Sequence, residues 1–141
     1  RWEFDTAGGV PYVSINATPS AGSGYDQWLI QAPGTFNPVG RSCRMNAAAA
    51  MDLDPGQALA ALYTTTEHPT PVLVGSSATA GDTRGRFMPW TIDLSGIDGQ
   101  TGVELFFLVH SPQGETHPVD AAIMNPVVTC IVDQPAGGSI D

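Results

Sequence analysis

Turn-forming residues constrain the fold of this chain more than any other feature of its sequence. Sixteen glycines and twelve prolines, together 28 of the 141 residues, recur at short intervals. Both residue types favour turns and weaken the interior of a helix or strand. Such frequent interruption is typical of many short strands joined by turns, and it leaves little room for long helices.

Apolar and polar side chains alternate along three segments, at 43–53, 88–94 and 103–109. Successive side chains of a strand point to opposite faces, so each segment is predicted to be a strand with one apolar, buried face. The β-branched run at 127–132 is typical of a strand that is covered on both sides. The three apolar faces consist of Cys43, Met45, Ala47, Ala49, Met51 and Leu53, of Met88, Trp90, Ile92 and Leu94, and of Val103, Leu105, Phe107 and Val109.

The segment that begins at Asp54 has one helical feature, because aspartate followed by proline is a common helix start. Gly56 weakens a helix, however, and the three threonines at 64–66 favour extended backbone. We therefore predict a strand here, with a short helix as the alternative. Together these segments predict an all-β protein, a two-sheet antiparallel β-sandwich of eight or nine strands.

The length of the chain fits a single domain. We place this domain at 1–133. The segment at 134–141 combines proline, glycine and serine without an apolar pattern. It is therefore predicted to be a linker or a flexible tail.

The charge balance argues against two classes of partner. Fourteen carboxylates face five arginines and no lysine, which gives a formal net charge of −9. Nucleic-acid binding requires a basic patch, and an anionic membrane surface repels a protein of this charge. No apolar run approaches the roughly 20 residues of a membrane helix. We expect neither nucleic-acid binding nor membrane insertion.

The two cysteines, Cys43 and Cys130, are widely spaced in the sequence. An even count favours one disulfide, and the spacing matches no zinc-binding pattern. We predict that the two residues lie on neighbouring strands and form this bond; the alternative is a pair of buried free thiols. A disulfide indicates an oxidising compartment, so we expect an extracellular, cell-surface or virion-surface location.

Two stretches of the sequence resemble galactose-binding-like jelly-roll domains, which include many carbohydrate-binding modules. The stretch WTIDLSGIDGQ at 90–100, followed by VELFFLV at 103–109, resembles their strand–turn–strand unit. The stretch DLDPGQ at 52–57 resembles a turn that occurs earlier in the same domains. Residues 2–5 and 121–127 lie where the first and last strands would be. The resemblance implies a jelly roll over most of the chain, and it implies no particular ligand, because such sandwiches serve many functions.

No catalytic pattern is present in the sequence. The three histidines form no zinc-protease motif, and there is no nucleophile elbow, phosphate-binding loop or dinucleotide fingerprint. The acidic pairs Asp52/Asp54 and Asp93/Asp98 border predicted turns, where aspartate commonly bonds the local backbone. A glycosidase needs two carboxylates across a cleft. We therefore predict that the chain is not an enzyme.

Five residues are candidates for ligand binding. Sugar sites combine an exposed aromatic ring with polar side chains, whereas the alternation places Trp28 and Trp90 among core positions. Tyr12 lies beside Ser14 and Asn16 and is expected to face outward. Arginine can hold sugar hydroxyls or an acidic sugar through paired contacts, although pairing with neighbouring carboxylates is an alternative role. The candidates are Tyr12, Tyr25, Asp26, Arg84 and Arg86.

The resemblance also implies one structural calcium ion between the first and last strands. The oxygen donors available there are Glu3, Asp5 and Asn125. Calcium takes six to eight oxygens, so backbone carbonyls near Gly8 and Gly9 would have to complete the shell. Ordinary surface carboxylates are the alternative interpretation.

The resemblance and these candidates predict a non-catalytic carbohydrate-binding or adhesion module of a larger secreted, cell-surface or virion protein. Its partner would be a polysaccharide or glycan. The alternative is a structural building block, either a virion decoration or tail component or a subunit of an extracellular filament, which assembles with itself or with neighbouring domains. Phe106 and Leu108 lie on the face opposite the apolar face of their strand. Three alternatives stay open for them: cover by the other sheet, a concave binding surface, or such an assembly contact.

Overall fold

The computed structural model describes residues 1–20, 26–32, 34–73 and 81–132. Within them it contains ten β-strands and one short 3-10 helix at Ser95–Ile97. Eight strands have six residues or more, and two have only two residues. The all-β prediction is thus confirmed. The strands are β1 Trp2–Ala7, β2 Val10–Ala17, β3 Asp26–Gln31, β4 Arg41–Leu53, β5 Ala58–Thr64, β6 Val72–Leu73, β7 Gly81–Asp82, β8 Met88–Asp93, β9 Glu104–Ser111 and β10 Val119–Ile131.

The strands form two antiparallel sheets. Sheet A has the order β1-β2-β10-β4, and the far edge of β4 pairs with β8 and with β7. Sheet B has the order β3-β9-β5-β6. If β1 and β7 are set aside, each sheet has four strands, in the orders β2-β10-β4-β8 and β3-β9-β5-β6. Strands that follow one another in the chain often lie in different sheets, so the chain crosses repeatedly between the sheets, as in a jelly roll.

The hydrophobic core lies between the sheets, and the predicted alternation identifies most of it. Trp90 of β8 is buried and packs near Phe107 of β9, with ring centroids 6.0 Å apart. Trp28 is half-buried against the same core. Met88 is an exception, since it begins β8 at the end of the pairing with β4 and is 48% exposed.

The prediction that 127–132 is covered on both sides is wrong. Pairing between β2 and β10 ends at Met124, so the rest of β10 pairs with β4 alone. A β-bulge between Met124 and Val127 marks this change. Only Val128 and Cys130 of the later residues pack against the core, and Val127 is 46% exposed.

The segment after Asp54 forms a turn and then strand β5, as predicted, and it contains no helix. Gly56 has a φ of +92°, a left-handed conformation that glycine adopts without strain. Gln57 follows and is almost completely buried. Its backbone N–H donates to the Asp54 carbonyl oxygen at 2.9 Å, which closes the turn.

The predicted disulfide between Cys43 and Cys130 is present, and it joins β4 to its sheet neighbour β10. Gly40 lies directly before β4 with a φ of +112°, and a Cβ atom there would collide with the Ile131 carbonyl oxygen. The predicted tail at 134–141 lies outside the described residues, so the domain limits remain a prediction. No helix among the described residues is long and apolar enough to cross a membrane.

Candidate functional site

Tyr12 lies on the outer face of sheet A, the side turned away from sheet B. Its neighbour Val13 points into the core, so Tyr12 faces outward as the alternation predicts. The Tyr12 hydroxyl donates to Asp5 Oδ2 at 3.4 Å. Partial desolvation, and then the negative charge of Asp5, raise the pKa of the Tyr12 hydroxyl. The phenol therefore stays protonated and keeps this hydrogen bond at neutral pH.

The Tyr12 ring also meets the ring of Phe87, edge to face, with centroids 5.6 Å apart and planes at 63°. Phe87 belongs to the loop between β7 and β8, which starts at the far edge of β4. Because Tyr12 is on β2, this loop must reach across the outer face over β4 and β10. Small side chains leave room for it: Ala50 points to this face and is nevertheless only 9% exposed.

The loop is anchored to β4 through Thr83. The Thr83 N–H donates to the Met51 carbonyl oxygen at 2.8 Å, and the Met51 N–H donates to Thr83 Oγ1 at 3.0 Å. A turn follows, in which the Arg86 N–H donates to the Thr83 carbonyl oxygen at 3.1 Å. The Arg84 N–H donates to Asp82 Oδ1 at 2.7 Å. The backbone that carries both arginines is therefore fixed before any ligand arrives.

Arg84 and Arg86 are both exposed. Among the described residues neither guanidinium forms an ion pair with a carboxylate, so the alternative role of pairing with neighbours is not found there. Together with Tyr12 they place three of the five predicted ligand residues on one region, the outer face of sheet A around the β7–β8 loop. We call this region the aromatic–arginine face; it comprises Tyr12, Arg84, Arg86 and Phe87.

The other two predicted ligand residues are not part of this group. Tyr25 lies outside the described residues. Asp26 begins β3, and its backbone pairs with Ser111 of β9 in sheet B. Phe87, in contrast, was not predicted. Strand alternation does not extend into a loop. The signal in the sequence is the position of Phe87 directly after Arg86, a candidate ligand residue.

Three carboxylates stand in a row on the outer face of sheet A. Asp120 of β10 lies opposite Asp52 of β4, and Asp52 lies opposite Asp82 of β7. Burial, and then the charge of Asp52, raise the pKa of Asp120, while a hydrogen bond with Asn16 opposes this shift. This part of the face is therefore strongly negative and disfavours an anionic ligand.

His117 lies against Asp52 of this row and against Asp54. Its Nε2 is 3.2 Å from Asp52 Oδ1, and its Nδ1 is 3.7 Å from Asp54 Oδ1. The side chains of this acidic pair thus contact a histidine rather than the local backbone that the sequence predicts.

The other acidic pair does bond backbone groups. Asp93 Oδ1 accepts hydrogen bonds from the Ser95 N–H at 2.9 Å and from Ser95 Oγ at 2.6 Å, and these bonds lower the pKa of Asp93. The Asp98 carboxylate accepts hydrogen bonds from the N–H groups of Ser42 and Cys43, at 2.9 Å and 3.2 Å. Both carboxylates thus stabilise turns and strand ends.

The predicted calcium ligands lie on two strands that do not touch. Glu3 and Asp5 share the outer side of β1, and β2 separates them from Asn125 in the β10 bulge. Asp5 already accepts hydrogen bonds from the Thr6 N–H at 2.8 Å and from Tyr12. In the described part of the chain, no three His, Cys, Asp or Glu side chains form a group that could hold a metal. This donor set falls short of a calcium shell, and calcium binding stays a prediction.

No family model and no curated protein matches this chain. Among solved structures, the chain is similar to the crystal structure of CBM28, a carbohydrate-binding module specific for non-crystalline cellulose. The TM-score is 0.61 at 9% identity, and the match covers 92% of this chain and 82% of that chain. A mutant of xylanase 10C from Cellvibrio japonicus, in complex with xylopentaose, matches with a TM-score of 0.42 at 14% identity, over 95% of this chain and 28% of that chain. Only the first likeness bears on the fold: the chain shares a jelly-roll β-sandwich fold with this carbohydrate-binding module.

Proposed function

We propose that this chain is a non-catalytic carbohydrate-binding module that binds a neutral polysaccharide through the aromatic–arginine face. The observation that carries the proposal is the Tyr12–Phe87 ring pair beside two exposed arginines, neither of which pairs with a carboxylate of the described residues. An aromatic ring can cover the apolar side of a sugar, and a guanidinium can donate to its hydroxyls. The likeness to a carbohydrate-binding module supports this use of the fold.

The aromatic–arginine face is held in place by contacts within the protein. Thr83 fixes the loop to β4, and the Tyr12 ring is held between Asp5 and Phe87. Groups that are ordered before binding lose little conformational entropy when the ligand arrives. The nearby carboxylate row and the net charge of −9 repel acidic sugars, which is why we propose a neutral polysaccharide.

Affinity gel electrophoresis with soluble polysaccharides tests the proposal. Hydroxyethylcellulose, xylan and galactomannan represent neutral chains, and polygalacturonate represents acidic ones. We expect retardation by at least one neutral polymer and none by polygalacturonate. Because a charge-assisted hydrogen bond contributes roughly 1.5–3 kcal/mol, Arg84→Ala should weaken binding by about tenfold or more, with little change in melting temperature. Tyr12→Ala removes the ring that would cover the sugar and should also weaken binding.

Arg44→Ala is the matched control. Arg44 lies on the same outer face of sheet A, in β4, seven residues before Met51, to which Thr83 anchors the β7–β8 loop. At the rise of a strand, the Cα atoms of Arg44 and Met51 are roughly 23 Å apart. This variant should bind like the unmodified protein. Absence of retardation on every polymer would refute the proposal, and equal weakening by Arg44→Ala and Arg84→Ala would refute the assigned face.

We further propose that the module is tethered in a larger secreted, cell-surface or virion protein, in which it provides adhesion to a glycan. The disulfide between Cys43 and Cys130 supports an oxidising compartment, since such bonds are rare where thiols are kept reduced. Fractionation of the source cells with an antibody against this domain tests the location. Detection only in the cytosol would contradict it.

A structural building block is the second candidate, and the outer face of sheet B favours it. Leu29 of β3 is 50% exposed there, and it lies opposite Leu108 of β9. Phe106 shares this face and is half-buried. A contiguous exposed apolar surface commonly marks a protein interface. Light scattering across a concentration series separates the candidates: ordered assembly supports the building block, whereas a strict monomer that binds glycan contradicts it.

A further inference from the structure

A cleft opens between the two sheets, and no part of the proposed function uses it. One lobe has a volume of about 550 Å³ and the other about 210 Å³. The lobes share Ala32, Phe107 and Pro126, so they lie side by side. Its walls come from β1, β2 and β10 of sheet A and from β3 and β9 of sheet B. The connection between β3 and β4, with Ala32, Phe36 and Val39, forms much of the larger lobe. The larger lobe alone has the size of a small-molecule site.

No charged side chain lines the cleft among the residues that the structure describes, although the chain carries 14 acidic and five basic residues. Several of its polar side chains already have partners elsewhere. Asn37 Oδ1 accepts a hydrogen bond from the Gly102 N–H at 2.8 Å, and Gln31 Nε2 donates to Glu104 Oε2 at 2.9 Å. A sugar that entered would give up hydrogen bonds to water without full replacement. The cleft therefore suits an uncharged and mainly apolar ligand.

Exposed apolar side chains border both ends of the cleft. Phe4 borders the smaller lobe and is 72% exposed, and Val39 borders the larger lobe and is 71% exposed. Within the described residues these are the two most exposed large hydrophobic side chains. Exposed apolar surface is unfavourable in water, and where it adjoins a cavity it commonly marks a binding site.

The β10 bulge borders the cleft. Asn125 has a φ of +50°, an uncommon conformation for a residue other than glycine, and Pro126 has no N–H to offer a neighbouring strand. Both residues border the cleft, and the register between β10 and β4 shifts at this point. Bulges are frequent next to functional sites, where they interrupt regular pairing.

We infer that this cleft binds a free, single-chain amphiphile with an uncharged head group, such as a long-chain alcohol. The aliphatic chain lies along the two lobes, where apolar walls replace water. The uncharged head stays at one of the open ends, beside Phe4 or Val39. This ligand differs in chemistry from the polysaccharide, and the two sites have only Tyr12 in common.

Displacement of the neutral dye Nile red tests the inference on the full chain. We expect saturable binding of the dye with increased fluorescence, and competition by straight-chain alcohols from 1-butanol to 1-decanol. Each added methylene that enters the cleft should tighten binding by about fourfold, which corresponds to about 0.8 kcal/mol. The gain should stop when both lobes are filled. Decanoate should compete more weakly than 1-decanol, because the net charge of −9 repels its carboxylate.

Val128→Phe and Val127→Phe form a matched pair of variants. Val128 lines the cleft, whereas its neighbour Val127 is exposed on the other side of β10 and does not. Val128→Phe should weaken alcohol binding at least tenfold, and Val127→Phe should leave it unchanged. Ala32→Leu fills the middle of the cleft with a smaller change and replaces Val128→Phe if that variant does not fold.

Three results would overturn the inference: dye binding that never saturates, equal effects of the two valine variants, or competition by cellohexaose. The last result would show that the cleft is a sugar site. Loss of polysaccharide binding in Arg84→Ala with unchanged alcohol binding would keep the two proposals separate.

Discussion

Gln57 is a buried polar side chain that joins three parts of the chain, and its replacement gives a sharp test of the fold. Its Oε1 accepts a hydrogen bond from the Asp54 N–H at 2.8 Å. Its Nε2 donates to Ser111 Oγ at 3.0 Å and to the His117 carbonyl oxygen at 2.7 Å. The side chain is only 1% exposed, so water cannot replace these bonds. Gln57 thus ties the turn before β5 to the end of β9 and to the connection that leads into β10.

Gln57→Leu keeps the approximate volume and removes all three side-chain hydrogen bonds. Each bond contributes about 1 kcal/mol, so we expect the free energy of unfolding to fall by about 3 kcal/mol. Urea unfolding followed by tryptophan fluorescence measures this loss as a lower midpoint at an unchanged slope. A cost below about 1 kcal/mol would mean that the three partners find other hydrogen bonds, and it would refute the assigned role.

Gln57→Glu separates hydrogen bonding from packing, because the new side chain has nearly the same shape. As a carboxylate it would place an acceptor against the His117 carbonyl oxygen, whereas the protonated acid can donate to it. The folded-state pKa of this carboxyl should therefore lie above the ordinary value of about 4.3. Its stabilising contribution is fully present below that ordinary pKa and is lost as the pH rises through the raised folded-state value.

Relative to the unmodified protein, Gln57→Glu should thus be nearly neutral at pH 4 and clearly destabilised at pH 8, while the cost of Gln57→Leu should not change with pH. The same urea experiment at both pH values decides the matter. Equal destabilisation of Gln57→Glu at the two values would contradict the proposed donor–acceptor geometry.

Three further predictions concern bonds and charges of sheet A. Replacement of Cys43 and Cys130 by serine should lower the free energy of unfolding by about 4–5 kcal/mol in the chain-entropy model. In the unmodified protein, mass spectrometry after alkylation without reductant should find no modified thiol. Two alkylated thiols would exclude the bond. Asp120→Asn should raise stability by about 0.5 kcal/mol at pH 7, because it removes a like-charge contact that solvent partly screens. Since the pKa of Asp120 is raised above 3.8, this advantage should disappear below about pH 4 in denaturation curves, and a constant advantage would exclude a charge effect. If calcium binds between β1 and β10, millimolar calcium should raise the melting temperature and chelator should lower it. Asp5→Asn should weaken this effect. An unchanged melting temperature would leave Glu3 and Asp5 as ordinary surface carboxylates.

The sequence predicts those parts of the fold in which a strand has one face on the core. In β4, β8 and β9 the alternation identifies the buried residues, because these strands lie with one side against the opposite sheet. The same reasoning fails at 127–132, where β-branched residues suggest burial on both sides. There, β10 has lost its pairing with β2, and the strand lies at an edge that its own composition does not reveal.

The candidate site is less predictable than the core. The alternation correctly predicts that Tyr12 faces outward. Its partner Phe87, however, belongs to a loop that crosses β4 and β10 to reach Tyr12. The small side chains that make this crossing feasible, such as Ala50, appear in the sequence only as part of an alanine run. The inter-sheet cleft depends on a bulge and on the relative position of two sheets. Neither feature corresponds to a local pattern in the sequence, so the cleft is not predicted from it.

The place of β10 in sheet A also determines the order in which the protein can fold. Although it is the last of the described strands in the chain, β10 lies between β2 and β4, which do not pair with each other. During synthesis, both neighbours therefore expose unpaired backbone until β10 leaves the ribosome.

Contacts between such distant segments form slowly, because a long loop must close before they contribute. The disulfide can form only after β10 has been synthesised, since one of its cysteines belongs to β10 itself. Oxidation of the two cysteines would therefore come late, and the disulfide would stabilise an assembled sandwich. A nascent chain that stalls before β10 would instead present two open strand edges, which are suited to pairing with other chains.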